Sequence, residues 1–316
     1  MIVSITHGED IDGIGAQAIL LRYFKLKREI ESSKIVLEYA HYSNLLEKLN
    51  RLLKNNKNPE ELYISDLGFN KQFSAVFPIF HQLKNLNCKI YWFDHHIVEK
   101  KIKRRLKDST ELYLNDEKRC GAEILKDYYL PEDEIANKIA LYARDRDFQL
   151  NKIPLAKKLD SLIAFYRGEE YIEQQKKLVK LMSKGVFENK WIKDQLIQLK
   201  VLIKAQKDLA VNRVKLIEIE DFGQIVVTFA ELGASQITRY IETVLKKPKL
   251  FASIDSRHNE INIHSQYANC RNIAAQFNGG GHLNRAGFSY ENAVENDKIN
   301  QKFLDELIGI IKENKL

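Results

Sequence analysis

The chain has 316 residues, with 50 Lys and Arg against 43 Asp and Glu for a formal net charge of +7; this is enough length for two domains with their own cores, and a mild basic excess suited to a polyanionic substrate. No apolar stretch approaches the roughly 20 residues that span a bilayer. Met1 leads straight into a strand rather than a signal peptide, and Cys88, Cys120 and Cys270 lack paired spacing, which argues against a disulfide framework or zinc knuckle and gives a cytoplasmic expectation.

The run Ile2, Val3, Ser4, Ile5, Thr6 is β-branched and too short for a helix, so it reads as a buried strand. His7-Gly8-Glu9-Asp10-Ile11-Asp12-Gly13 follows as a tight connection, and a helix is expected from about Gly15 to Phe24. A second strand, Leu62-Tyr63-Ile64-Ser65, stops at Asp66 beside Leu67-Gly68. A third, Lys89-Ile90-Tyr91-Trp92-Phe93, runs into Asp94-His95-His96. The segment 139–147 reads as the end of a helix carrying Asp145 and Asp147. Ile153-Pro154 marks a break, and residues 155–212 are rich in Lys, Gln, Glu and Leu without strand-like alternation. There Leu159, Leu162, Ile163 and Tyr166 fall at helical spacing, as do Leu196, Leu199 and Ile203, without the sustained heptads of a coiled coil. Strands return over 224–229, 250–254 and 260–264, with a helix near 235–246, another just before Gly279-Gly280-Gly281, and an amphipathic one at 297–315.

This order predicts an α/β protein: a parallel-sheet N-terminal domain over 1–150, a helical connector over 151–212 and a smaller mixed α/β C-terminal domain over 213–316. In a parallel sheet the carboxyl ends of the strands lie along one edge, where ligands bind. His7, Asp10 and Asp12, then Asp66, then Asp94, His95 and His96 are therefore expected to converge. Carboxylates that close together need a cation. Mixed imidazole and carboxylate donors without thiolate favour Mn²⁺, or Zn²⁺, Fe²⁺ or Co²⁺, over Ca²⁺. The donors are too many for one ion; two ions about 3.5–4 Å apart suit phosphoester hydrolysis.

His-x-x-Asp-x-Asp-Gly, a lone Asp after a second strand, Asp-His-His after a third and a later Asp together resemble the four motifs of the DHH phosphoesterases. Gly279-Gly280-Gly281-His282 followed by Ala286-Gly287-Phe288 is similar to the glycine-rich signature of the DHH-associated C-terminal domain. The superfamily includes RecJ-like exonucleases, nanoRNases, cyclic-dinucleotide phosphodiesterases and family II pyrophosphatases. The resemblance implies that His7, Asp10 and Asp66 hold one metal, while Asp12, Asp66, His95 and Asp145 hold the second, with Asp66 bridging. It implies Asp94 orienting His95, and His96 facing the phosphate or the leaving oxygen. Glu9 competes with Asp10 for the first carboxylate place; Asp145 is preferred to Asp147 as nearer the helix end.

The glycine N–H groups of Gly279, Gly280 and Gly281 could form an anion nest, with His282, Arg257 and Arg285 as partners for phosphate or base. A simpler reading makes the glycines a helix cap and turn, and makes Asp145 and Asp147, beside Arg144 and Arg146, a solvated charge cluster. The expected activity is a phosphodiesterase with two Mn²⁺ ions (Mg²⁺ or Co²⁺ as substitutes) acting on single-stranded nucleic acid or short oligonucleotides. Cyclic-dinucleotide hydrolysis is the nearest alternative, and a non-catalytic DHH-fold scaffold in a replication or repair assembly is the alternative of another class.

Overall fold

The computed structural model describes residues 1–41, 44–54, 59–69 and 74–316, which form two units, Met1–Leu196 and Ile197–Leu316. Unit 1 is built on a five-stranded parallel sheet of β1 (Ile2–His7), β2 (Ile35–Ala40), β3 (Glu61–Ser65), β4 (Lys89–Asp94) and β5 (Leu112–Asn115), in the order β2-β1-β3-β4-β5. The chain leaves β1 for one neighbour, β2, and then returns to pair β3 on its other side. That reversal opens a crevice at the carboxyl ends of β1 and β3, the place where open α/β sheets bind ligands.

The two faces of β1 explain how this edge is held. Val3 and Ile5 point into a core shared with α2 (Leu45–Lys54), α3 (Val76–Asn85) and α4 (Lys100–Ser109), through Leu45, Leu49, Phe80 and Leu106. Ser4 and Thr6 point the other way, where α1 (Ile11–Lys27) approaches, and both are buried. Gln17 donates to the Ser4 carbonyl at 3.1 Å. Thr6 Oγ1 donates to the Gly13 carbonyl at 3.0 Å and accepts from Ser65 Oγ at 2.9 Å. One hydroxyl thus joins the end of β1, the start of α1 and the end of β3. Fully buried Trp92 adds a second tie, donating from Nε1 to the Leu67 carbonyl at 3.1 Å. Truncating such a side chain costs about 3–5 kcal/mol, so Leu67, just after β3, is firmly held.

On its outer side α1 packs against α5 (Gly121–Tyr129), α6 (Glu134–Asp147), α7 (Pro154–Phe165) and α8 (Ile172–Ser183). The expected connector over 151–212 is therefore helical, as α7, α8 and α9 (Lys190–Asn212), and its first two helices pack within unit 1 on α1 and α6. Pro154 opens α7 at the first turn, where a missing N–H is harmless.

Unit 2 carries a six-stranded mixed sheet of β6 (Lys215–Ile219), β7 (Gly223–Ala230), β8 (Leu250–Asp255), β9 (Glu260–Ser265), β10 (Gly280–Gly281) and β11 (Arg285–Ser289). Only β7 and β8 run parallel, linked by α10 (Ala234–Val244). Alternation along β7 feeds two cores: Ile225, Val227 and Phe229 pack with α11 (Cys270–Gln276) and α12 (Gln301–Glu313), while Val226 and Ala230 pack with α10 and Ala210 of α9. Between β11 and α12, β12 (Val294–Glu295) and β13 (Lys298–Ile299) form a short hairpin. The architecture is the α/β class expected, with a parallel sheet first and a mixed one second. No helix among the described residues is long and apolar enough to cross a membrane.

Candidate metal centre

The carboxyl edge of the first sheet gathers the residues expected there. Asp10 caps α1, its Oδ1 accepting from the Asp12 and Gly13 N–H groups at 3.0 and 3.1 Å. Its Oδ2 lies 3.6 Å from His7 Nε2. Asp12, in the first turn, is buried, and its two oxygens accept from Gly121 and Ala122, each at 2.7 Å. These donors are the first N–H groups of α5, so a helix N-terminus supports Asp12. Asp66 follows β3 with φ of +52°, a left-handed conformation uncommon for a side chain other than Gly. Its N–H is fixed by the Phe93 carbonyl at 2.9 Å. The Asp66 carboxylate is buried, and its Oδ2 has no hydrogen-bond partner among the described residues.

His95 stands between these carboxylates. Its Nε2 lies 3.3 Å from Asp66 and 3.7 Å from Asp12, and its Nδ1 lies 3.6 Å from Asp147. Two sets of side chains place one ligand atom each within 4.8 Å of the others: Asp66, His95 and His96, and Asp12, His95 and Asp147. Burial, then the nearby charge of Asp10, pushes Asp12 up to about 7. Burial and the Asp12 charge hold Asp66 well above the usual carboxylate range. Burial also raises Asp147, partly offset by His95. Negative charge is thus unwelcome here unless a cation joins it.

Two details differ from the sequence expectation. The carboxylate beside His95 is Asp147, whereas buried Asp145 accepts from the Lys152 N–H at 2.7 Å and ties down the loop after α6. Two residues along a helix turn a side chain through about 200°, so Asp147 at the end of α6 faces His95 while Asp145 faces the following loop, its Oδ2 buried without a hydrogen-bond partner among the described residues. Asp94 also has a different partner, accepting at 2.7 Å from Nδ1 of His96 rather than of His95. Burial disfavours the charged form of His96, but the Asp94 hydrogen bond and charge outweigh it and raise the imidazole. Gly68 makes room for that ring, since a Cβ there would lie 2.8 Å from His96 Cγ.

Solved structures share this arrangement of elements. The DHH domain of a member of a ribosomal-protein family aligns with a TM-score of 0.56 at 16% identity, covering 100% of this chain and 87% of that one. Exonuclease RecJ bound to manganese aligns at 0.55 and 14%, covering 98% and 90%. The pGpG-specific phosphodiesterase PggH from Vibrio cholerae aligns at 0.51 and 12%, covering 99% and 100%. The chain has the DHH fold. No protein-family model and no curated protein matches its sequence.

Within this DHH fold, the residues singled out in unit 2 are largely engaged with one another. Gly279 donates its N–H to the Ala274 carbonyl, which takes it out of an anion nest, and the His282 N–H donates to the Arg285 carbonyl. Gly280 and Gly281 form β10 against Gly287 and Ala286. The glycines have a packing reason: a Cβ on Gly279 would lie 2.3 Å from the Gly287 carbonyl oxygen. Arg257 donates from Nε and Nη2 to its near neighbour Asp255 at 3.1 and 3.0 Å. Arg285 pairs with Glu242 at 3.3 Å, and Glu242 also holds His264 Nδ1.

Two contributors to the DHH edge escaped the sequence reading, and a third was passed over. The N–H groups of Gly121 and Ala122 had a signal, since Glu123 three residues after Cys120 completes a capping box that announces the helix. Asp160 of α7 had none: it accepts from the Ile11 N–H at 3.2 Å and from Arg146 Nε at 3.0 Å, bracing the first turn of α1 across a long sequence gap. Asp147 was in view but not preferred.

Proposed function

We propose that this chain is a Mn²⁺-dependent phosphodiesterase acting on single-stranded nucleic acid or short oligonucleotides. The observation that carries the reading is Asp66, a carboxylate buried in a left-handed backbone position with Oδ2 unpartnered among the described residues, between the groups of β1 and β4. Isolated, such a group costs stability; as a ligand shared by two cations it is accounted for. Two DHH-fold neighbours bear the names of an exonuclease and a pGpG-specific phosphodiesterase, and the exonuclease is bound to manganese, which supports the reaction class and the metal.

The residues fit the metal. The donors are imidazole and carboxylate, and three of the carboxylates resist ionisation without a cation. By the family pattern His7, Asp10 and Asp66 would hold one ion, with His7 and Asp10 3.6 Å apart, and the cluster of Asp12, His95 and Asp147 would hold the second together with Asp66. Bound, the ions would acidify the attacking water and stabilise charge on the phosphoryl oxygens. The α5 N-terminus keeps Asp12 aimed and offsets part of the cost of burying its charge. Asp94 accepts from His96 Nδ1 and fixes the ring, which suits a part for His96 in proton transfer to a leaving oxygen.

The test is one Mn²⁺ panel of a 5′-phosphorylated dinucleotide, longer single-stranded RNA and DNA, a cyclic dinucleotide and pyrophosphate, run beside a metal-binding titration. Turnover of the linear phosphodiesters with about two ions bound per chain is the expected result. Hydrolysis of pyrophosphate alone, or no stoichiometric metal and no turnover, refutes the reading.

A further inference from the structure

In unit 1, α4 breaks charge rules that α1 keeps. Six of its ten residues are cations, Lys100, Lys101, Lys103, Arg104, Arg105 and Lys107, against the single acid Asp108. Its first turn holds Lys100 and Lys101 and no acid, although a helix N-terminus favours negative charge. α1 has the ordinary arrangement, with Asp12 in its first turn and Lys25 and Lys27 in its last. Lys100 with Arg104, Lys101 with Arg105 and Lys103 with Lys107 are like charges at i,i+4, and each pair weakens the helix. Where a sequence breaks local rules without a gain inside the fold, function is the expected reason.

Two of the cations do have a place in the fold. Arg105 lies over the Phe77 ring at 3.9 Å, and Lys103 meets Glu117 at 3.0 Å. Ile102 and Leu106 turn to the core. Lys100, Lys101, Arg104 and Lys107 are exposed and form no ion pair among the described residues. Lys100, Arg104 and Lys107 fall on one stripe, which at about 1.5 Å per residue is about 10 Å long. The stripe begins four residues after His96. Because α4 crosses from the carboxyl end of β4 to the start of parallel β5, it leads away from the metal edge along the outside of the sheet. Ile97, 82% exposed, stands in the chain between His96 and the stripe and offers an apolar contact that an inorganic polyanion could not use.

We infer that the exposed face of α4 is a docking track for the sugar–phosphate backbone of single-stranded nucleic acid, beyond the nucleotides at the metal centre. Cations spaced along a stripe suit successive phosphates, and such contacts position a strand without reading its sequence. The inference rests on the phosphodiesterase reading for the identity of the polyanion, but its test needs neither metal nor turnover. The experiment is equilibrium binding of single-stranded oligothymidylates of about 4 and about 16 nucleotides to the full chain in EDTA, across a range of salt. It compares wild type, the combined variant Lys100→Gln, Arg104→Gln and Lys107→Gln, and a control with the same loss of charge elsewhere, Lys25→Gln, Lys27→Gln and Lys312→Gln. At low salt the α4 variant should bind the longer strand at least about 10-fold more weakly, and its slope of log affinity against log salt should fall by about 2, while the control stays near wild type. The short strand should respond less. Equal loss in the control, an unchanged salt slope, no binding of the longer strand by wild type, or tighter binding of inorganic polyphosphate or phosphatidylserine vesicles overturns the inference. Relieved of like-charge pairs, the α4 variant should melt no lower than wild type, and single Arg104→Gln, with about one third of the slope change, serves as the second variant. Absence of turnover with strand binding intact refutes the phosphodiesterase reading alone; turnover with strand binding indifferent to α4 refutes the track alone.

Discussion

Asp66 in unit 1 and Asp255 in unit 2 both stand at a strand's carboxyl end with 3% and 1% exposure. Asp255 has its own arginine, Arg257, which meets both carboxylate oxygens, and its Oδ1 also accepts from the Arg257 N–H at 3.1 Å. Asp66 forms no ion pair with Lys or Arg among the described residues; its neighbours are Asp12, His95 and other acids. One acid is finished by its own chain, and the other is left for something to complete. The same contrast extends to the two units: at the other end of the β8–β9 ladder Arg285, Glu242 and His264 satisfy one another, while Asp10, Asp12 and Asp147 compound the charge around Asp66. Buried charge without compensation is the better indicator of a working site than charge or burial alone.

The sharpest way to break the comparison is to remove both charges. Asp66→Asn keeps the shape and a residue type that tolerates a left-handed backbone, and it should lower turnover by at least about 1000-fold, or about 4 kcal/mol in the barrier. Without metal the same variant should be more stable than wild type at pH 7, by about 1–3 kcal/mol, because the cost of burying an ionisable carboxyl among other acids is gone. Calorimetry in EDTA reads the second effect; a loss of stability there would mean that Asp66 is already satisfied. Next in size is Asp147→Asn, which should cost about 100-fold in turnover or metal affinity, whereas Asp145→Asn should leave metal affinity near wild type and lower stability through the Lys152 tie. Metal titration of the two variants decides between them, and equal losses would undo the assignment of Asp147. Smaller again is Asp255→Asn, which should lower stability by about 1–3 kcal/mol by leaving Arg257 without its partner, with metal affinity unchanged. Asp66 and Asp255 thus should respond with opposite signs in the metal-free protein.

The sequence exposed the interior of this fold more readily than its margins. The strands of β1, β3 and β4 are nearly continuous apolar runs because helices cover both faces, and their terminal ligands were legible from residue type and position. Of the strands not read, β2, β5, β6 and β10 are the edges of the two sheets, β12 and β13 form a separate hairpin, and β11 lies inside the second sheet with its short apolar run broken by Gly287. Edge strands are half-solvated and interrupted by residues such as Glu38, Asn115 and Lys215, so their periodicity is weak. Rotation around a helix hid the distinction between Asp145 and Asp147, and long-range bracing hid Asp160. The glycine run was seen but given a ligand to hold; two of its nearby N–H groups are consumed by the backbone, and close strand approach accounts for Gly279.

Compensation also occurs inside unit 1, away from the metal edge, and its pH dependence offers the finest test. Arg22 meets Asp133 through Nε and Nη2 at 2.6 and 2.8 Å, and Asp133 caps α6 by accepting from the Ala136 N–H at 2.8 Å. The Arg22 hydrogen bonds hold the Asp133 carboxyl below the usual range despite partial burial. A folded-state value below the unfolded one means that the unfolded chain binds the proton first as pH falls. The pair's contribution is therefore complete above the unfolded value of about 3.9 and is lost as pH drops through it toward the lower folded value. Asp133→Asn preserves the cap, because Asn serves at that position as well as Asp, and removes only the charge pair. It should cost about 1 kcal/mol at pH 7 and make the stability curve shallower between about pH 5 and pH 2. Denaturant titrations across that range read the difference directly: curves for wild type and Asp133→Asn that stay parallel down to pH 2 would show that the ion pair contributes nothing the cap does not.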